Sequence, residues 1–321
     1  MQTLDRLKML VERNGGFVNA HAHFDRAYTA QTSDFESDHV NAHLFEKWEL
    51  VNKFKLQASE ERYYNHISEA LYNQIKMGVT AGLSFIDCDP ISEDRALKAA
   101  LRAKKDWQDK FQLKIACQTL QGVLKPEAST WFQTNAHHFD IIGGLPKKDA
   151  GREEDHIDAL MTVAKKNNQR VHVHVDQLNC ITEKETELLA RKTMEHGMEG
   201  RVTAIHSISL AAQPKSYREE VYKMSLDAGL SFVTCPTAWI DHRRTETLSV
   251  THNAITPIDE MVPRGIPVAI GSDNICDVYK PFSNGDMMIE LRFLLEATHF
   301  YDVEKLVEIA TTNGRQIIGL N

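Results

Sequence analysis

The amino-acid sequence predicts an α/β protein built as a single (β/α)8 barrel. Short apolar runs alternate with longer amphipathic segments along almost the whole chain, and the apolar runs number eight. Glycine also stands between helical segments and the next apolar run, at Gly78 before Val79 and at Gly229 before Leu230. A left-handed glycine is the usual end of a helix that leads into a buried strand.

The predicted elements follow in order. We predict strands at 17–23, 79–87, 112–118, 139–145, 170–176, 202–207, 230–235 and 267–273. We predict helices that include 60–77, 92–107, 152–166, 182–196 and 217–228. Residues 1–16 form an N-terminal helical segment and residues 17–321 form the barrel. The alternative is a doubly wound open sheet, but no GxGxxG motif or P-loop follows any strand.

Composition and charge exclude several classes of protein. The 321 residues are 42% hydrophobic and carry a net charge of −8, which argues against nucleic acid or an anionic membrane as partner. The N-terminus is too charged for a signal peptide, and no apolar run is long enough to span a bilayer. Five cysteines without a CxxC pair fit a reducing cytoplasm.

The longest irregular stretch, residues 28–55, follows the first predicted strand. In a barrel it would be an elaborated loop on the catalytic face. Residues 44–48, LFEKW, fit a lid helix over the site, and they fit equally a surface excursion covered by one buried tryptophan.

Histidines and an aspartate at strand ends predict a metal site. The first strand ends in His21-Ala22-His23, whose alternate residues point to the same side. His174, His206 and Asp273 end strands five, six and eight. In a barrel all five side chains reach the carboxyl end, where such enzymes bind substrate. Three imidazoles and a carboxylate suit one zinc ion, or alternatively iron, better than magnesium.

The chain resembles the amidohydrolase superfamily, and within it the cytosine deaminase group. The resemblance rests on HAHFD at 21–25, LFE with Trp48, HVD at 174–176, GMEGRVTA at 197–204 and GSDN at 271–274 with Asp277. It implies that His21, His23, His174 and Asp273 bind one metal ion. It also implies that His206 holds the activated water or the substrate's oxygen.

The implied mechanism assigns roles to further residues. Asp273 takes a proton from water and delivers it to the leaving nitrogen, while His206 stabilises the developing oxyanion. Asp25 and Asp277 are expected to orient the metal ligands from behind. Asn274 is expected to contact the substrate.

Three departures separate this chain from cytosine deaminases. Gln177 stands where they carry a proton-shuttling glutamate, so it either loses that step or grips a substrate amide. Leu120, with Gln121 beside it, stands where they use a glutamine against the pyrimidine, although the two could be offset by one residue. Relatives also carry a small β-sandwich made from both chain ends, and we expect this chain to lack it.

We also predict the surroundings of other residues near strand ends. His172 is expected to be a hydrogen-bonded core residue. Lys147 and Lys148 are expected to be solvated loop residues rather than a carbamylated metal bridge. Trp239 and Asp241, after strand seven, are expected to line the substrate pocket.

The sequence therefore predicts a metal-dependent hydrolase of a non-peptide C–N bond in a small cyclic amide, amidine or N-heterocycle. One alternative is an aminohydrolase of cytosine, isocytosine or triazine type. Another is a non-catalytic, metal-containing barrel that binds a ligand. The expected partner is a small molecule, and a homo-oligomer is left open.

Overall fold

The protein was studied as a computed structural model, which describes residues 3–238 and 254–320. Eight strands lie in one parallel sheet in the order β1 to β8. They are β1 Phe17–Ala22, β2 Val79–Asp87, β3 Gln112–Gln118, β4 Ile141–Gly144, β5 Arg170–Val175, β6 Val202–His206, β7 Ser231–Thr234 and β8 Val268–Ile270. The order confirms the predicted (β/α)8 barrel, and each strand lies within its predicted range.

The helices lie between and after the strands. They are α1 Thr3–Arg13, α2 Thr32–Glu36, α3 Leu44–Gln57, α4 Glu60–Lys76, α5 Arg95–Asp106, α6 Pro126–Asn135, α7 Glu153–Asn167, α8 Glu185–Glu195, α9 Lys215–Asp227, α10 Ile258–Met261, α11 Met287–Thr298, α12 Val303–Ala310 and α13 Thr312–Ile317. Across the described ranges, every strand belongs to the barrel, and none forms a β-sandwich. No helix in these ranges has the length and apolar character that crossing a membrane requires.

Helix α4 shows how local sequence sets an element's ends. Ser59 caps its N-terminus by accepting a hydrogen bond from the backbone N–H of Arg62 at 3.2 Å. Gly78, with φ of +83°, follows its C-terminus in the left-handed conformation that the sequence predicted. Helix α4 therefore ends where β2 begins.

The barrel is nearly closed, and the closure lies at its catalytic end. Ala22 and Asp273 form an isolated parallel bridge, and the Asp273 N–H donates to the His21 carbonyl at 2.9 Å. Gly271 permits this approach, because a Cβ there would lie 2.7 Å from the His21 carbonyl oxygen. The first strand and the segment after the last strand thus bring residues 251 and 252 positions apart in sequence into contact.

Apolar packing supports the floor of that site. A buried cluster takes residues from β1, β2, β3, β4, β6, β7 and β8. The Phe85 ring in this cluster lies 4.8 Å, centroid to centroid, from both His21 and His174. Below it, His172 is buried and contacts the Ile317 carbonyl of α13 at 3.2 Å, as expected of a core histidine.

Helix α3 occupies the long segment after β1. Its residues Leu44, Trp48 and Val51 form a small apolar cluster with Leu120, Leu145, Val278 and Tyr279. Trp48 is 6% exposed. Since loops that follow β1, β3, β4 and β8 all meet here, α3 covers the carboxyl end of the barrel as a lid.

Candidate metal centre and active-site cavity

Five side chains meet at the carboxyl end of the barrel. Ligand atoms of His21, His174 and His206 lie within 4.8 Å of one another, and so do those of His21, His23 and Asp273. Asp273 Oδ1 lies 3.4 Å from His21 Nε2 and 3.2 Å from His23 Nε2. The structure thus brings together all four predicted metal ligands and the predicted catalytic His206.

The backbone at two of these residues is unusual. His206 and Asp273 have φ of +72° and +57°, in the left-handed region that residues other than glycine rarely occupy. Such conformations persist where surrounding structure fixes them, and they concentrate at functional sites. Thr256 helps to fix His206, because its hydroxyl donates to the His206 carbonyl at 2.5 Å.

The orientation of His174 suits a metal ligand. Its Nδ1 lies 3.0 Å from the Gly144 carbonyl, and only an N–H can bond to that oxygen. The proton is therefore on Nδ1, and Nε2 is left with a free lone pair. A metal-binding histidine commonly has its second nitrogen held in this way.

Burial sets the protonation of the cluster. Loss of solvent lowers the pKa of His206 to about 4 and holds the pKa values of His23 and His174 well below the usual value. Burial alone would raise the pKa of Asp273, but the adjacent His21 and His23 outweigh it and hold that pKa well below its ordinary range. His23, His174 and His206 thus offer neutral imidazoles and Asp273 a carboxylate, the forms that bind cations.

The residues present fit a divalent cation. Both ring nitrogens of His21 and Nδ1 of His23 are buried without a hydrogen-bond partner. Buried polar atoms normally have partners, so these bare nitrogens need a bound species. The nitrogen and oxygen donor set is the one that zinc or iron prefers.

A small cavity opens above this cluster. The lid helix α3, the loops after β3, β4 and β5, and the segment after β8 form its walls. Its lining residues are His23, Arg26, Leu44, Trp48, Gln118, Leu120, Leu145, His174, Gln177, His206, Asp273, Asn274 and Tyr279. A cavity lined by apolar side chains and a few polar groups is typical of a small-molecule site.

Several predicted contacts line this cavity and one does not. Leu120, Gln177 and Asn274 are among its walls, and Gln177 Nε2 is buried without a hydrogen-bond partner. Gln121 is not among them, because it turns to α3 and donates to Asn52 Oδ1 at 2.8 Å. Trp239 and Asp241 lie outside the described residues.

Asp25 and Asp277 have neighbours different from those expected. Asp25 Oδ2 accepts from the Asp87 N–H at 2.9 Å. Asp277 accepts from the Asn274 side chain at 2.5 Å and from the N–H of Tyr279 at 2.9 Å. Their hydrogen bonds therefore hold β2 and the cavity wall, and none runs to a candidate metal ligand.

The expectation for Lys147 and Lys148 was wrong in part. Both are half-buried on the 3-10 turn Pro146–Asp149 after β4. Lys147 Nζ lies 3.0 Å from Glu185 Oε1, and Lys148 Nζ lies 4.6 Å from the centroid of the Trp48 ring. The lid helix and the buried glutamate provide partners that the strand pattern does not show.

Sequence reasoning missed two polar residues of the cavity. Gln118, the last residue of β3, is 5% exposed, and its Oε1 has no hydrogen-bond partner. Arg26, three residues after His23, also lines the cavity and is 4% exposed. The sequence marks these two residues only by their position, because each is a polar residue at or just beyond the carboxyl end of a strand.

Comparisons with known proteins agree with this architecture. The family model described as amidohydrolase family matches residues 124–321. An uncharacterized protein of Haemophilus influenzae is 45% identical over 254 residues, which cover 78% of this chain and 92% of that protein. The N-isopropylammelide isopropyl amidohydrolase of Pseudomonas sp. strain ADP is 25% identical over 313 residues, with coverage of 95% and 74%.

The fold has a well-matched solved counterpart. The 5-methylcytosine deaminase of Klebsiella pneumoniae superimposes with a TM-score of 0.87 at 23% identity, over 95% of this chain and 75% of that one. The superposition shows that the two folds agree over nearly the whole barrel.

Proposed function

The chain belongs to the amidohydrolase family, and we propose that it is a metal-dependent hydrolase of a non-peptide C–N bond in a small cyclic amide, amidine or N-heterocycle. The observation that carries the proposal is the convergence of three imidazoles and one carboxylate at the floor of a small cavity. Barrel enzymes carry out their chemistry at this end. We infer a small-molecule substrate from the size of the cavity.

We assign one divalent cation to His21, His23, His174 and Asp273. Zinc is the proposed ion and iron the alternative, since both accept this donor set. When bound, the cation would activate a water molecule as the nucleophile.

The chain's own groups then handle the proton and the substrate. Asp273 is placed to accept a proton from the attacking water and to return it to the leaving nitrogen. His206, neutral at pH 7 because burial lowers its pKa to about 4, faces the same point and contacts the substrate oxygen. Gln177 carries no transferable proton, so we assign it to substrate binding.

Removal of an exocyclic amine is a second candidate reaction. The names of two relatives favour it, a 5-methylcytosine deaminase and an N-isopropylammelide isopropyl amidohydrolase. Gln177 and Leu120 replace polar groups that the deaminase resemblance expects, which supports a ring other than cytosine for this chain.

A metal analysis and a hydrolysis screen test the proposal together. Purified protein should contain one zinc or iron ion per chain. Amino-pyrimidines and amino-triazines should be assayed for release of ammonia or amine, and cyclic amides for ring opening by the gain of one water. No turnover of any compound by fully metal-loaded protein would favour the ligand-binding barrel instead.

We also propose a cytoplasmic location and a homo-oligomer. The five cysteines all lie in the described part of the chain and none forms a disulfide there, which supports a reducing compartment. Helix α11 exposes Ile289 and Phe293, at 50% and 41%, which supports a contact between copies. Light scattering of the purified protein tests the oligomeric state, and fractionation of cells tests the location.

A further inference from the structure

Arg26 is a buried cation in the wall of the active-site cavity. It ends the 3-10 turn Phe24–Arg26 that follows the candidate ligand His23. The side chain is 4% exposed and lines the cavity. Within the described lining, Arg26 is the only lysine or arginine.

The hydrogen-bonding capacity of Arg26 is largely unused. Nε and Nη1 are buried without hydrogen-bond partners, so at least three N–H groups lack an acceptor. The nearest carboxylate oxygen, Asp277 Oδ2, lies 3.7 Å from Nε, beyond hydrogen-bond range. A charged donor that is buried and unpaired is unfavourable, and the structure retains this one beside a cavity.

The neighbours of Arg26 are committed elsewhere. Asp277 already accepts from Asn274 and from the N–H groups of Tyr279 and Lys280. The Tyr279 ring lies 5.6 Å from the guanidinium and covers it, but a ring face accepts no in-plane N–H. Asp277, Asp25 and Asp87 thus supply negative charge near Arg26 but no hydrogen-bond acceptor to its Nε or Nη1, and the adjoining cavity is where a ligand could supply one.

We propose that the substrate carries an anionic oxygen group, a carboxylate or a ring oxyanion, that binds Arg26 through charge-assisted hydrogen bonds. This inference rests on the proposed function and narrows its substrate class. Gln118 and Gln177 bring an unpaired amide oxygen and an unpaired amide nitrogen to the same cavity. Together they recognise a ring with both N–H and oxygen groups at its edge, and Arg26 selects the charged form.

Binding of small cyclic amides, each first checked for the absence of hydrolysis, tests this without requiring turnover. Calorimetry at pH 7 on metal-loaded protein should compare uracil, which is neutral, with two anions, barbiturate and orotate. Barbiturate has a ring oxyanion, and orotate is uracil with a carboxylate. We expect at least one anion to bind the native protein about 10- to 100-fold more tightly than uracil, the range that charged hydrogen bonds supply.

Substitutions assign the preference to Arg26. Arg26→Gln should abolish it, whereas uracil binding should change far less. Arg152→Gln is the control, since Arg152 is exposed, pairs with Asp155 at 2.7 Å and is not part of the cavity lining, and it should leave the preference intact. If Arg26→Gln does not fold, Arg26→Lys keeps the charge but loses the planar fork, and it should weaken the anion about 10-fold more than uracil.

Two results would overturn the inference: no anion preferred over uracil by the native protein, or a preference that is unchanged in Arg26→Gln and in Arg26→Lys. Preference for orotate alone would assign a carboxylate, and preference for barbiturate alone a ring oxyanion. An Arg26-dependent preference in a protein that hydrolyses nothing in the screen would refute the proposed hydrolase and leave the anion site standing.

Discussion

Two buried polar clusters lie close to the cavity, and they differ in whether the chain satisfies them. In the metal cluster, the nitrogens of His21 and Nδ1 of His23 have no hydrogen-bond partner. In a second cluster, which we call the lid anchor, Lys55 of α3 pairs with Asp87, the last residue of β2, and with Asp89 just beyond it. Asp89 also accepts hydrogen bonds from Ile91 and Ser92.

This difference distinguishes buried polar residues that stabilise the fold from buried polar residues that bind a ligand. Burial of a charge is tolerated when the chain itself provides the opposite charge and the hydrogen bonds, as Lys55, Ile91 and Ser92 do for Asp89 of the lid anchor. Buried polar atoms without a hydrogen-bond partner are unfavourable in the folded protein. A ligand that supplies the missing partner therefore stabilises the folded protein when it binds. Loss of a lid-anchor residue should therefore reduce stability, and loss of a metal-cluster residue should reduce binding and turnover.

Asp273→Ala should have the largest effect. It removes a proposed metal ligand and the proposed proton carrier together, so turnover should fall by more than about 10⁴-fold. Metal content per chain, measured by mass spectrometry, should fall with it. Full metal occupancy with retained turnover would show that Asp273 belongs with the structural cluster.

Asp89→Ala should show the opposite pattern. Asp89→Ala removes one of the two carboxylates that pair with buried Lys55, and should lower the free energy of unfolding by about 3–5 kcal/mol. Metal content should be unchanged. The control is Asp94→Ala, which breaks an exposed pair with Lys98 at 2.9 Å and should cost under about 1 kcal/mol. Equal losses in urea unfolding would contradict the comparison.

Gln177→Glu sharpens the comparison within the cavity. A carboxylate of almost the same volume restores a proton carrier, which typically contributes about 10²–10⁴-fold to the rate. Ammonia release from cytosine or isocytosine should appear or increase, unless Leu120 still excludes the ring, and turnover of the native substrate should fall.

Gln177→Met is the matched control, because it fills the space without a proton carrier and should bring no new deamination. Efficient deamination of cytosine by the native protein would contradict this assignment and give the proton transfer to Asp273 alone or to a water held by Asp176.

Glu183 offers an effect on stability that depends on pH. Burial first, and the charges of Asp176 and Glu185 next, raise its pKa to about 8. A pKa above the ordinary value means that protonated Glu183 stabilises the fold at low pH and that this contribution is lost as pH rises toward 8. Native stability should fall by up to about 1.4 kcal/mol per pH unit in this window.

Glu183→Gln should remove that slope. The variant should match the native protein near pH 5 and exceed its unfolding free energy at pH 8, as measured by urea unfolding across the range. Parallel pH profiles for the two proteins would show that Glu183 is ionised throughout.

The sequence predicted the barrel and the metal cluster from the same regularity. Parallel strands end at one face, so a histidine or aspartate at each strand end is placed by the strand alone. That is why residues from β1, β5, β6 and β8 met as predicted. The predicted ends of the helices before β2 and β7 were nearly right for a local reason. Gly78 and Gly229 end these helices because glycine readily adopts a positive φ.

The residues beyond the strand ends were harder to place. Gln121 and Gln118 are three positions apart on one segment, yet Gln118 faces the cavity and Gln121 faces α3. Asp25 and Arg26 are adjacent, yet only Arg26 reaches the cavity. In a loop, adjacent side chains can point in different directions. The regular repeat of a strand or a helix does not extend into the loop, so the sequence does not show which direction each side chain takes.

By itself, then, the sequence determined the β–α alternation, the strand ends and the set of metal-binding side chains, because these follow from short-range periodicity and the geometry of parallel strands. Only the tertiary structure decided which buried polar groups the chain satisfies. The lid anchor joins Lys55 to Asp87 and Asp89 across more than 30 positions, whereas Nε and Nη1 of Arg26 have no hydrogen-bond acceptor although Asp277 lies 3.7 Å away. Hydrogen-bond satisfaction is a property of which loops meet in space, and the assembled fold sets it.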